Sequence, residues 1–139
     1  MVPKTQNSEL LIEDLTRAFR RRKTIAAVYL FGSTATGRDR RGSDIDLAIV
    51  AKKIISVRER IRLETAMSGR LRRDVDLVVF GQASTLLQHQ ILKYGRLVCE
   101  NDPAERVRQE VRARAEYLDT RNLFRELGTP HLQQGMDHG

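Results

Sequence analysis

The sequence predicts an α/β (α+β) fold, a small mixed β-sheet flanked by helices. Three observations carry that expectation. Apolar runs rich in β-branched residues recur at 25–31, 45–50 and 75–80. Stretches with helical spacing of apolar residues alternate with them. The first two runs are joined by about a dozen residues, too few for a packed crossover helix, so they pair as an extended hairpin rather than a βαβ unit.

Each element follows from local chemistry. Over 8–22, Leu11, Leu15, Ala18 and Phe19 recur at helical spacing, with Ser8 as N-cap and Glu9, Glu13 and Asp14 in the first half. Residues 25–31 (IAAVYLF) form a buried strand that Gly32 and Ser33 end. Residues 33–36 suit one helical turn, and 37–43 a charged loop between glycines. The second strand is 45–50, followed by a connection over 52–56. A helix over 57–68 has a weaker pattern (Val57, Ile61, Glu64, Ala66), with Gly69 as its C′ residue. A third strand, 75–80, ends at Gly81. Ser84 caps a helix to Tyr94, Gly95 closes it, and 96–100 is a short fourth strand. Asp102 caps a long last helix with Pro103 at N1. Val107, Val111, Ala115 and Leu118 form its apolar stripe, and Gly128 and Pro130 stop it. The helices are expected on one face of the sheet.

The 139 residues suit one domain, with a core over about 8–127 and a disordered tail over 128–139. Aromatic residues make up only 5% and there is no Trp, so aliphatic packing must carry the core. No apolar run approaches the roughly 20 residues of a membrane span. The N-terminal stretch lacks the apolar segment of a signal peptide, and Cys99 is the only cysteine, a small core residue of the fourth strand. Both facts point to the cytoplasm. The net charge of +7 suits a nucleotide, nucleic acid or acidic partner. No aromatic residues interleave with the basic runs, which argues against a single-strand stacking platform. His89, His131 and His138 lack metal-ligand spacing.

The chemistry concentrates in LFGSTATGRDRRGSDIDLAIV, residues 30–50. Asp44 and Asp46 lie two apart at a strand entrance and so project from one face, while Ile45 and Leu47 point into the core. Two carboxylates that close repel unless a cation, donor or proton compensates. Mg²⁺ fits, since it binds one or two carboxylates together with substrate phosphates. In the third strand Asp74 and Asp76 share a face. If strands two and three are neighbours, Asp76 approaches the first pair, and three carboxylates can hold two metals about 3.5–4 Å apart for in-line phosphoryl displacement. Asp74, next to Arg72 and Arg73, reads as a surface residue at the strand edge. Gly32 allows close approach, Ser33 offers its hydroxyl and nearby backbone N–H groups to phosphate, and Arg38, Arg40 or Arg41 can neutralise further charge.

Gly32-Ser33, ten intervening residues, then Asp44-Ile45-Asp46-Leu47 resembles the signature of the DNA polymerase β-like nucleotidyltransferase superfamily. More narrowly it resembles the minimal nucleotidyltransferases (MNT), antitoxins commonly paired with HEPN-domain RNase toxins. The small size, the VDLVVF strand and the long last helix agree. The resemblance implies a polymerase β-like fold and transfer of AMP from ATP to a tyrosine of a HEPN toxin, in a hetero-oligomer with it. It implies that Gly32 and Ser33, helped by Arg38, hold the nucleotide, that Asp44 and Asp46 bind two Mg²⁺ ions, and that Asp76 binds the second ion or helps deprotonate the acceptor. Thr36 departs from the Arg the family often carries there, which bears on nucleotide affinity. Two other readings stay open. One is neutralisation of a toxin by contact alone. The other is transfer to a small molecule or RNA, for which a chain this short has little room for an acceptor domain.

Overall fold

In the computed structural model the described residues are 4–32 and 44–127. The elements run α1 (Lys4–Phe19), β1 (Ile25–Phe31), β2 (Ile45–Ala51), α2 (Val57–Leu71), β3 (Val75–Val79), a 3₁₀ turn (Phe80–Gln82), α3 (Thr85–Tyr94), β4 (Arg96–Glu100) and α4 (Pro103–Glu126). The sheet order is β3-β2-β1-β4. β1 runs antiparallel to both β2 and β4, as the short β1–β2 connection requires, whereas β2 and β3 are parallel and α2 makes their crossover.

Alternation in the strands builds two cores rather than one. Val28, Leu30, Ile45, Leu47, Ile49, Val75 and Leu77 face Leu15 and Phe19 of α1 and Met67 of α2. Ala26, Tyr29, Ala48 and Val50 face the other way, where Phe80, Ile91 of α3 and Ala113 of α4 cover them. Helices therefore lie on both faces of the sheet, which corrects the one-face expectation. The strands' near-continuous apolar composition is the physical reason: a sheet apolar on both sides must be covered on both.

Several boundaries move. α1 begins at Lys4, so Ser8 lies inside it, and it ends at Phe19 rather than 22. α2 continues through Gly69 and ends at Leu71, capped by Arg72, whose backbone takes the left-handed conformation at φ 54°. Leu63, Met67 and Leu71 form its inward face, while Val57 and Ile61 are exposed. The third strand stops at Val79, one residue early, as Phe80 opens the 3₁₀ turn. The caps at α3 and α4 are as expected: Ser84 accepts from the Leu87 N–H and Asp102 from the Glu105 N–H, each at 3.2 Å. Cys99 is buried in β4, and Tyr94 is exposed at the end of α3 with the Lys93 ammonium 5.2 Å from its ring centroid.

The largest departure is in α4. Val107, Val111 and Leu118 point to solvent, 45%, 59% and 53% exposed, and only Ala113 is buried. The inward face is polar and docks by pairing. The Tyr29 hydroxyl donates to Glu110, and Arg106 donates to Glu110 at 2.8 Å and also to Glu100. Burial and the neighbouring carboxylate push the Tyr29 hydroxyl well above the usual phenol range, so it stays a donor. Gly128 and Pro130, expected to stop the last helix, the tail and the loop over 33–43 lie outside the described residues. Among the described residues no helix is long and apolar enough to cross a membrane.

Candidate active site

β1 and β2 end and begin side by side, so Phe31 pairs with Asp46. One residue on, Gly32 has φ +72°, a conformation that side chains resist. A Cβ there would fall on the Asp46 carboxylate, well inside van der Waals contact. Gly32 is thus doubly required, for its backbone and for the space it leaves to Asp46.

On the other side, the parallel register sets Asp46 opposite Asp76 and Ile45 opposite Val75. The Ile45 N–H donates to the Asp74 carbonyl at 2.8 Å, so Asp74 contributes its backbone to the pairing while its side chain is exposed, in line with its reading as a surface residue. Asp44 lies exposed immediately before β2, and Asp76 is also exposed. Asp46 is half-buried between them. Burial first, then the charges of Asp76 and Asp44, hold its carboxyl above the usual carboxylate range. The structure thus brings together Gly32, Asp44, Asp46 and Asp76; Ser33, Thr36, Arg38, Arg40 and Arg41 lie outside the described residues. Among the described residues no three carboxylate, imidazole or thiol groups close into a cage able to hold a metal ion by themselves.

Two residues that sequence reasoning passed over fix the position of Asp76. β3 is an edge strand, with N–H groups of alternate residues facing outward. α2 supplies their acceptors: Ser68 Oγ takes the Val75 N–H at 3.0 Å and Glu64 Oε2 the Leu77 N–H at 2.8 Å. Arg60 donates to the same Glu64 oxygen at 3.2 Å. Asp76 sits between the two clamped residues. Their i, i+4 spacing on α2 was visible in the sequence, but nothing there tied it to a strand edge.

Residues 13–104, from within α1 to the first turn of α4, match the polymerase beta nucleotidyltransferase family. The chain belongs to that family. Among its relatives is the protein adenylyltransferase MntA of Shewanella oneidensis, 39% identical over 69 residues, which are half of each chain. The chain thus spans about half the length of the curated relative it matches. Among solved structures, a toxin–antitoxin crystal structure with AMP-PNP superposes with a TM-score of 0.73 at 26% identity, covering 84% of this chain and 94% of that one. The MNT antitoxin complexed with a tri-AMPylated Shewanella oneidensis HEPN toxin gives a TM-score of 0.65 at 23% identity, covering 90% and 95%, a likeness of fold alone. The polymerase β-like fold that the resemblance implies is thereby borne out.

Proposed function

We propose that this chain is a Mg²⁺-dependent nucleotidyltransferase that moves AMP from ATP to a tyrosine hydroxyl of a HEPN toxin and so acts as its antitoxin, in the cytoplasm and in a complex with that toxin. The observation that carries the reading is the register of Asp46 and Asp76, with Gly32 pressed against Asp46, in a chain of this family. The name of the MntA relative and the AMP-PNP-bound neighbour supply the direction.

The donor set fits a hard divalent cation. Its three side chains offer only carboxylate oxygens, and their mutual repulsion, visible at Asp46, is what a cation relieves. Mg²⁺ needs only one or two carboxylates beside water and substrate phosphates. Asp44, Asp46 and Asp76 would hold the metal, as two ions. When bound, the metal supplies charge stabilisation at the reacting phosphate and lowers the pKa of the acceptor oxygen.

The chain's own residues do the rest. Gly32 and Ser33, with Arg38, hold the triphosphate so that the α-phosphorus faces the acceptor. The tyrosine oxygen forms a bond to the α-phosphorus as the bond to the β-phosphate's bridging oxygen breaks, and pyrophosphate leaves. The hydroxyl proton passes towards Asp76, whose exposed position leaves it open to an incoming side chain. Catalysis is positioning and electrostatics, with no covalent enzyme intermediate.

The test is incubation with α-labelled ATP, Mg²⁺ and the cognate HEPN protein, beside an Asp44→Asn, Asp46→Asn double variant. Label on one tyrosine, absent with the variant, is expected. Neutralisation of the toxin without label by both proteins would replace transfer with inhibition by contact.

A further inference from the structure

We propose, resting on the transferase reading, that Tyr94 is the platform on which the nucleotide's base stacks, and that it positions the nucleotide beside the carboxylates. Tyr94 is the last residue of α3. Gly95 follows and lies against the end of β1, where a Cβ would sit 3.4 Å from the Leu30 carbonyl oxygen. Arg96 then opens β4 opposite Leu30. Leu30 is paired on its other side with Leu47, and Phe31 with Asp46. Arg96, Leu30 and Leu47 thus form one row across three strands, about 10 Å wide. The end of α3 and the carboxylates flank the same end of β1.

They also share a face of the sheet. Side chains alternate along a strand, and Ala48 and Val50 face the core that Phe80 and Ile91 cover. Asp46 lies two residues before Ala48, and Asp76 two before Val78, which packs against that same core. α3 covers this face through Leu87, Ile91 and Leu92.

Exposure sets this ring apart. Phe19, Tyr29 and Phe80 are buried, and Phe31, Tyr117 and Phe124 are partly covered. Tyr117 already stacks on His89, with ring centroids 3.8 Å apart. Tyr94 is 59% exposed, and no other aromatic residue among the described residues is exposed. The Lys93 ammonium holds one face of its ring, which leaves the other to a ligand. The groups that the transferase reading gives to the nucleotide, Gly32, Ser33, Arg38 and the carboxylates, meet its phosphates and metal, and none meets its base. Only the sugar separates the base from the α-phosphate, so the base must land a short way along the surface from Asp46. An exposed aromatic ring takes a base there by stacking, whatever the base's hydrogen-bonding edge.

The chain has no tryptophan, so Tyr94→Trp installs a single reporter. AMP-PNP with Mg²⁺ should quench its emission, and inorganic tripolyphosphate, which has no base, should not. In calorimetry of the full chain, Tyr94→Ala should bind AMP-PNP at least tenfold more weakly and tripolyphosphate as before, with Tyr94→Phe close to the unmodified chain. Three outcomes would each overturn the proposal: an unquenched tryptophan in a chain that binds AMP-PNP, an alanine variant that binds AMP-PNP as tightly as the unmodified chain, or equal weakening of both ligands, which would make Tyr94 a structural residue. AMP-PNP binding indifferent to Tyr94 would leave the transferase reading standing, whereas no binding by the unmodified chain would remove both.

Discussion

Asp46 and Asp76 face one another across adjacent parallel strands, and Asp76 is the larger of the two charges raising the Asp46 pKa. Removing it should be directly visible. With Asp76→Asn, the Asp46 carboxyl should titrate at a lower pH than in the unmodified chain, followed by carboxyl-carbon NMR without divalent cation. Asp44→Asn should lower it less. The residual elevation reports burial, the largest cause. An Asp46 titration that ignores both substitutions would show that the three carboxylates do not share a field.

The same elevation has a consequence for stability. The folded chain holds the Asp46 proton more tightly than the unfolded chain, so this group favours folding at low pH, and that contribution is lost as pH rises through its folded-state pKa. Asp46→Asn removes the charge that is penalised above that range. In chelator at neutral pH it should raise the melting temperature by about 1–3 °C, a small gain because a half-exposed group is partly screened. The gain should vanish below the ordinary carboxylate range. A melting temperature lowered at neutral pH would contradict the assignment.

Gly32→Ala tests the other flank. The substitution places a methyl on the Asp46 carboxylate and holds a non-glycine residue at φ +72°. A destabilisation of about 1–3 kcal/mol is expected in urea denaturation. Label transfer should fall at least 100-fold, about 2.7 kcal/mol of barrier, because Asp46 must swing away. Retained transfer would mean that the Gly32–Asp46 contact does not set the site.

Glu64 is a positioning residue. Glu64→Ala should lower kcat with little change in KM for ATP, because it frees the Leu77 N–H beside Asp76 and not the nucleotide. Glu64→Gln keeps an acceptor oxygen for that N–H and should restore most of kcat. Equal loss in both variants would assign the effect to the Arg60 ion pair instead.

The parts of this fold legible in sequence are those set by neighbours in the chain. Apolar runs placed the strands, and Ser84, Asp102 and Pro103 placed the starts of α3 and α4. Asp44 and Asp46 were legible because strand alternation alone puts them on one face. What was not legible depends on contacts distant in sequence. α4 turns Val107, Val111 and Leu118 outward because Glu110 and Arg106 find Tyr29 and Glu100 inside. α2 runs past Gly69, where a Cβ would meet nothing, and stops at Leu71. The roles of Glu64 and Ser68 exist only once β3 is an edge.

Asn101 ties three elements together, and its loss should be felt by all of them. Its Nδ2 donates to the Phe19 carbonyl at 2.8 Å, at the end of α1, and to the Ile25 carbonyl at 2.9 Å, at the start of β1. The backbone N–H groups of Asn101 and Asp102 both donate to the Ala26 carbonyl, at 2.7 and 3.0 Å, just ahead of α4. Asn101→Ala removes the side-chain donor from the Ile25 carbonyl and leaves the Phe19 carbonyl with only the Arg22 N–H at 3.0 Å, so about 1–2 kcal/mol of stability should be lost. Asn101→Asp is nearly isosteric but sets carboxylate oxygens against carbonyl oxygens, and should cost more than the alanine. That order, read from urea midpoints of the two variants, separates a donor role from simple packing. If the aspartate were the milder change, shape rather than hydrogen bonding would hold α1, β1 and α4 together at this corner.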